Sequence, residues 1–88
     1  MGVRVRLEEM KIELELYASL TPYMPKETDE NHHVVEINEG ITIGEFLENL
    51  KIPTGSVRII FLNGVHARGD EILKEGDRLA VFPPLAGG

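Results

Sequence analysis

The chain has 88 residues, enough for one domain with one hydrophobic core but too few for two domains. Hydrophobic residues make up 42% and charged residues 27%, a globular mixture that excludes a wholly disordered chain. The net charge of -6 disfavours nucleic acid and anionic membranes as partners. It suits a basic protein partner, but simple solubility is the preferred explanation of the charge taken alone.

The chain contains no cysteine, which excludes disulfides, thiolate metal sites and a cysteine nucleophile. If the protein handles sulfur, the sulfur must sit on something other than a side chain. No apolar run approaches the roughly 18 residues of a membrane helix, and the N-terminus lacks the apolar region of a signal peptide. We therefore expect a soluble cytoplasmic protein.

Residues 11–17 alternate between apolar and polar side chains, with Ile12, Leu14 and Leu16 in one phase. This period of two predicts a strand with one buried face. The preceding residues also alternate, but two glutamates break the pattern. We predict that residues 1–9 form a flexible N-terminal extension and that the domain starts at Met10.

The stretch from Ser19 to His33 is polar and contains two prolines, which predicts a long loop. Residues 34–37 then predict a second short strand, followed by a turn at residues 38–40.

A helix is predicted after Thr42, which can cap it while Glu45 reaches back to the Thr42 amide. The apolar side chains at spacings i, i+3, i+4 and i+7 form one stripe that faces a sheet. They are Ile43, Phe46, Leu47 and Leu50. Pro53 and Gly55 are expected to stop the helix.

Residues 57–62 are rich in β-branched and aromatic side chains and predict a third strand. Asn63-Gly64 follows, the strongest short hairpin signal, because both central positions of a type I′ turn need positive φ. Residues 65–67 should form the short return strand, and residues 78–82 the last strand.

Residues 70–77, between these two strands, suggest one helical turn. We expect Ile72 and Leu73 to anchor it in the core, and Gly76 to close it in a left-handed conformation.

The order of elements is strand, strand, helix, strand, short strand, strand. One helix must then cover one face of a mixed sheet of four to five strands. A simple arrangement places the first and last strands side by side and parallel at the centre of the sheet. The expected fold is therefore an α+β domain of the β-grasp type, the fold of ubiquitin, over residues 10–82.

No catalytic constellation is present among the side chains, because Ser19 and Ser56 lack a glycine-elbow context. His32 and His33 are adjacent, so on a strand they point to opposite faces, and a solvated loop edge is favoured over a metal site. His66 is expected at the surface. The acidic loop residues Glu27, Asp29 and Glu30 are expected to form a solvated face.

The C-terminal tail carries the strongest functional signal. Pro83 and Pro84 favour an extended conformation, so residues 83–88 can project about 20 Å from the sheet. Gly87 and Gly88 have no side chains, and the terminal carboxylate can therefore enter a narrow channel. Such an arm suits a carboxylate that another enzyme must adenylate before a nucleophile attacks it.

The segments F-P-P-L-A-G-G (Phe82–Gly88), L-K-E-G-D-R-L-A-V (Leu73–Val81) and L-N-G-V (Leu62–Val65) resemble those of the MoaD/ThiS sulfur carriers. The chain is most similar to the small subunit of molybdopterin synthase, in which an aromatic-Pro-Pro-x-Ala-Gly-Gly ending is typical. The resemblance covers residues 10–88 and is most specific in the tail. The chain departs from the family in its longer loop at residues 21–31 and in its first nine residues.

The resemblance implies that Gly88 is adenylated by an ATP-dependent, ubiquitin-activating-type enzyme and is then converted to a thiocarboxylate by a persulfide sulfur donor. The tail would insert into the large subunit of molybdopterin synthase, which makes the chain a non-catalytic carrier with no bound cofactor. The residues implied to dock the partners are Phe82, Pro83, Pro84, Leu85, Ala86 and Gly87. For Phe82 a role as a simple core residue is an equal alternative.

Three alternatives stay open. The carrier could serve a thiamin, tungsten-cofactor or other sulfur pathway. It could be a ubiquitin-like modifier conjugated through Gly88 to lysines. It could also be a β-grasp binding module with an idle tail.

Overall fold

The structure is a computed structural model that describes residues 9–25 and 33–84. That part of the chain forms five strands and one α-helix in the order β1 (Glu9–Leu16), β2 (Val34–Asn38), α1 (Ile43–Asn49), β3 (Ile59–Leu62), β4 (Val65–Ala67) and β5 (Arg78–Phe82). It also contains two short 3₁₀ helices, Ala18–Tyr23 and Thr54–Ser56. Residues 1–8 of the predicted extension lie outside the described residues, and β1 begins at Glu9, one residue before the predicted domain start.

The strands form a single mixed sheet in the order β2-β1-β5-β3-β4. The two central strands, β1 and β5, run parallel, with Leu16 opposite Val81. The other neighbouring pairs are antiparallel. This is the β-grasp arrangement that the order of elements predicts, and it places the last strand of the chain at the centre of the sheet.

The core lies between α1 and one face of the sheet. The predicted alternation in β1 is confirmed, since Ile12, Leu14 and Leu16 are buried while the residues between them are exposed. The helix contributes three buried side chains of its predicted stripe, namely Ile43, Phe46 and Leu47. Burial of each such side chain contributes about 1.5–3 kcal/mol, so this face of the sheet provides most of the stability.

Helix α1 begins with the predicted capping box. The Glu45 amide donates to the Thr42 hydroxyl oxygen (3.1 Å), and the Thr42 amide donates to a Glu45 carboxylate oxygen (3.0 Å). The helix ends at Asn49, before the expected stop signals, because Lys51 takes a left-handed conformation (φ 69°). Pro53 and Gly55 are therefore not needed to end it.

Two expectations for residues 70–77 are wrong. The segment forms no helical turn, and Ile72 is 53% exposed, whereas Leu73 is fully buried as predicted. The reason is that the segment runs alongside the residues that precede α1: the Leu73 amide donates to the Ile41 carbonyl (2.9 Å), and Ile72 forms a β-bridge with Thr42. Adjacent residues of such an extended segment point in opposite directions. The left-handed conformation of Gly76 is confirmed (φ 85°).

Two boundaries differ from those expected. Strand β3 begins two residues later than predicted, because Thr54–Ser56 forms a 3₁₀ helix and the Val57 amide donates to the Thr54 carbonyl (3.3 Å). The expected long loop after β1 starts with the 3₁₀ helix Ala18–Tyr23, which places Leu20 in the core. No helix of the described residues is long and apolar enough to span a membrane.

Candidate functional site

We call residues 83–88 the C-terminal arm. The candidate site is the base of this arm, where the chain leaves the sheet. Strand β5 ends at Phe82 and continues into Pro83, which is buried, and Pro84, which is exposed. The other predicted site residues, Leu85, Ala86, Gly87 and Gly88, lie outside the described residues. The structure therefore describes where the arm starts and what holds it there.

Backbone hydrogen bonds hold the end of β5 on both of its edges. The Arg58 amide donates to the Phe82 carbonyl (2.8 Å) on the β3 side. On the β1 side, the Tyr17 amide donates to the Val81 carbonyl (3.2 Å). Pro83 has no N–H with which to continue the ladder. The arm thus leaves from a fixed point at the centre of the sheet.

An aromatic cluster surrounds the last residue of β5. The ring of Tyr17 stacks on that of Phe82, with centroids 4.4 Å apart and planes 2° apart. The edge of Phe61 meets Phe82 from the other side at 6.0 Å and 89°. Each such pair contributes about 0.5–1.5 kcal/mol beyond the area that it buries. Phe82, half-buried, is therefore held between two rings, so the starting direction of the arm is restricted.

The hydroxyl of Tyr17 donates a hydrogen bond to a carboxylate oxygen of Glu15, two residues earlier on the same face. This hydrogen bond is the main cause that raises the pKa of Tyr17 above its usual value, and burial and the negative charge of Glu15 add to it. The hydroxyl therefore stays protonated at neutral pH, and the hydrogen bond fixes the ring that stacks on Phe82.

An open groove runs beside the arm base on the face of the sheet away from α1. Ile60 and Val81 point into the core, so Ile59, Phe61 and Phe82 must point to the opposite face. The groove is lined by Arg58, Ile59, Phe61, Phe82, Pro83 and Pro84. Apolar and aromatic side chains together with a guanidinium are the composition that is typical of protein–protein interfaces.

The residues of this face farther from the arm are charged. Glu13 and Arg78 form an exposed ion pair, with 3.3 Å between Glu13 Oε1 and Arg78 Nε. Exposed pairs of this kind contribute little to stability. The face therefore changes from aromatic near the arm to ionic at the other end.

Sequence reasoning singled out Phe82, Pro83 and Pro84 but missed Tyr17 and Phe61. A signal for both was present. Tyr17 follows β1 at a position whose side chain points away from the core, as those of alternate residues in the strand do. Phe61 is at such a position in β3, between the inward-facing Ile60 and Leu62. A cluster of large aromatic residues that face outward on neighbouring strands is typical of an interaction surface.

The histidines form no metal site in the described part of the chain. His66 is exposed, with its ring edge-on to Phe61 (5.9 Å, 88°), and His33 is half-buried beside β1. Within residues 9–25 and 33–84, no group of three or more His, Cys, Asp or Glu side chains could hold a metal ion. His32 lies outside those ranges.

Comparison with protein families matches residues 23–88, which is 66 of the 88 residues, to the model described as "ThiS family". The matched range includes the groove residues from Arg58 to Pro84 as well as Gly87 and Gly88. A search of curated proteins found no match.

Solved structures with the same fold include two proteins from Haloferax volcanii. SAMP1 is 23% identical with a TM-score of 0.61, and the alignment covers 89% of this chain and 99% of SAMP1. The HVO 2177 protein is 23% identical with a TM-score of 0.67, covering 99% of this chain and 94% of the other.

A third structure is the "Putative molybdopterin converting factor, subunit 1" from Pyrococcus furiosus. It is 25% identical with a TM-score of 0.59, and the alignment covers 86% of this chain and 99% of that one. Together these similarities show a common β-grasp fold over nearly the whole length of each of the three proteins.

Proposed function

The chain belongs to the ThiS family of small β-grasp carriers and ubiquitin-like modifiers, and we propose that it is a sulfur carrier whose Gly88 is adenylated and thiocarboxylated. The observation that carries the proposal is the arm base. A central strand delivers Phe82 between two aromatic rings and continues into a buried and an exposed proline. The family match extends from there through Gly88.

The proposed chemistry takes place on the carboxylate and requires partner enzymes. A carboxylate is a poor electrophile and must first be activated. Its oxygen attacks the α-phosphorus of ATP, pyrophosphate leaves, and the product is an acyl adenylate. A persulfide anion then attacks the acyl carbon and expels AMP. A thiol finally cleaves the S–S bond and leaves a thiocarboxylate. The chain is the co-substrate in each step, and ATP and reduced thiols place this chemistry in the cytoplasm.

The geometry supports a division between docking and reaction. We propose that Phe82, Pro83 and Pro84, together with Leu85 and Ala86, dock the activating enzyme and later the sulfur acceptor. The groove beside the arm base offers the apolar surface for that contact. Gly87 and Gly88 would then enter a channel that is too narrow for side chains.

We propose the large subunit of molybdopterin synthase as the sulfur acceptor. The aromatic-Pro-Pro-x-Ala-Gly-Gly ending supports this pathway, as does the similarity to the Pyrococcus furiosus protein described as a molybdopterin converting factor subunit. Copurification with a thiazole synthase instead would assign the carrier to the thiamin pathway.

A second candidate function is a ubiquitin-like modifier that is joined through Gly88 to lysine side chains. The similarity to SAMP1 supports it, since small archaeal modifier proteins share this fold. Activation of Gly88 is common to both functions. Gly-Gly remnants on the lysines of other proteins, found by peptide mass spectrometry, would favour the modifier.

The test is an intact-mass measurement. The full chain is incubated with a ThiS-family adenylating enzyme, ATP and a persulfide donor, and we expect exchange of one oxygen for sulfur at Gly88. A variant without Gly88 should show no exchange, and Lys51→Ala, which changes an exposed residue outside the groove, should react normally. The proposal is wrong if the full chain stays unmodified or if the exchange survives deletion of Gly88.

A further inference from the structure

The two-residue turn between β3 and β4 combines a reactive sequence with a side chain that is held by hydrogen bonds. Asn63 and Gly64 have φ angles of 56° and 81°, the positive values that a type I′ turn needs. Of the four asparagines in the chain, only Asn63 precedes a glycine. The following backbone nitrogen is therefore unhindered by a side chain and is a potential nucleophile toward the Asn63 carboxamide.

Both ends of that carboxamide are hydrogen-bonded. Asn63 Nδ2 donates to Asp77 Oδ1 (3.0 Å), and Asn63 Oδ1 accepts from the Arg78 amide (2.9 Å). Asp77 is itself held, since its other oxygen accepts from the Lys74 amide (2.8 Å). The Asn63 side chain thus ties the β3–β4 hairpin to the first residue of β5.

We propose that Asn63 is a latent deamidation site, which the Asp77 carboxylate and the Arg78 amide keep closed in the folded protein. Attack by the Gly64 nitrogen requires a carboxamide that is free to rotate, and the two hydrogen bonds oppose that rotation. Opening of the turn removes this restraint. The site belongs to the chain itself and does not depend on the sulfur-carrier function.

The reaction needs no co-reactant other than water. The Gly64 nitrogen forms a bond to Asn63 Cγ and loses its proton, while the carboxamide nitrogen takes up a proton and leaves as ammonia. The resulting succinimide adds water at either carbonyl and opens to aspartate or isoaspartate. The net change is hydrolysis of one side-chain amide.

The products would weaken the contact that Asn63 makes. In the aspartate product, a carboxylate oxygen replaces the Nδ2 donor. It then faces Asp77 Oδ1 at the position of the present 3.0 Å hydrogen bond. Like charges at this distance repel each other. In isoaspartate, the turn backbone is one atom longer. Either product loosens the hairpin from β5, the strand that carries the arm.

The expected protection follows from the two hydrogen bonds. Each hydrogen bond shifts the equilibrium between the bound and the freely rotating carboxamide by about fivefold. Two of them should therefore slow deamidation on the order of 25-fold relative to the unfolded chain. Asn38 and Asn49 are followed by Glu39 and Leu50, and they serve as internal references that lack the unhindered nitrogen.

The experiment compares deamidation rates of the full chain in buffer and in concentrated urea at the same pH and temperature. Deamidation adds one mass unit, and peptide mass spectrometry locates it. We expect slow loss of Asn63 in buffer and fast loss in urea. In buffer, Asp77→Ala should react several-fold faster than Asp70→Ala, a control that removes the same charge from an exposed position.

Equal rates in buffer and urea would overturn the proposal, and so would an Asp77→Ala variant that is folded but no faster than Asp70→Ala. Circular dichroism establishes whether each variant is folded. If Asp77→Ala does not fold, the comparison of the unsubstituted chain in buffer and urea decides alone.

Discussion

Lys51 shows most clearly how a single residue can be in conflict with its backbone conformation. Its φ of 69° ends helix α1 in the left-handed region, where a side chain costs about 1–2 kcal/mol. The conformation is imposed by two hydrogen bonds of a Schellman motif: the Lys51 amide donates to the Glu48 carbonyl (2.9 Å), and the Ile52 amide donates to the Leu47 carbonyl (3.3 Å). Burial of Ile52 and Leu47 offsets the strain.

Replacement of Lys51 by glycine should therefore stabilise the protein. We expect Lys51→Gly to raise the free energy of unfolding by about 0.5–1 kcal/mol, since the relief of strain exceeds the added entropy of the unfolded chain. Urea unfolding followed by circular dichroism measures the change. Lys51→Ala removes the same charge but keeps Cβ, so an equal gain in that variant would contradict this explanation.

Helix α1 illustrates how a short element depends on its ends. It has seven residues, fewer than an isolated helix needs to be stable in water. Its stability comes from the capping box at Thr42, the Schellman motif at Lys51 and the buried stripe between them. The two caps consist of hydrogen bonds between residues that are close in sequence. The apolar stripe stabilises the helix only when it is buried against the sheet.

Loss of the capping hydroxyl should weaken the whole domain, because α1 covers the core. We expect Thr42→Ala to lower the free energy of unfolding by about 1 kcal/mol. Thr42→Ser keeps the hydroxyl and should cost much less. Thermal unfolding of both variants measures the difference, and equal losses would show that the threonine methyl group, rather than the cap, is responsible.

At the scale of the whole molecule, the core and the proposed reactive end belong to different parts of the chain. The buried core cluster extends along the chain from Ile12 to Val81, and the arm begins two residues later with Pro83, the one arm residue of the described part that is buried. Between them, Tyr17, Phe61 and Phe82 connect β1, β3 and β5 on the opposite face of the sheet. We therefore expect the core to provide stability independently of the last two residues.

Deletion of Gly87 and Gly88 should separate the two properties. We expect the free energy of unfolding to change by less than about 0.5 kcal/mol, while thiocarboxylation is lost. As a contrast, Leu14→Ala in the fully buried centre should cost about 2–5 kcal/mol. Urea unfolding and intact-mass measurements on the same samples test this, and a large loss of stability on deletion would show that the arm is part of the folded core.

Local patterns in the sequence determined those elements whose causes are local. The Thr42–Glu45 capping box and the Asn63-Gly64 turn involve residues at most three positions apart, and both are confirmed. The alternation in residues 11–17 also predicted which side chains of β1 are buried, because a one-residue shift would have exposed all of them. From these elements and their order the β-grasp fold followed.

Only the tertiary structure decided contacts between distant segments. Ile72 and Leu73 are equally apolar, and the pairing of that segment with the residues before α1 determined that Leu73 is buried and Ile72 is exposed. Likewise, the register of β1 and β5 brings Tyr17 beside Phe82. The physical reason is that side-chain burial and stacking depend on which strands become neighbours, and local preference does not contain that information.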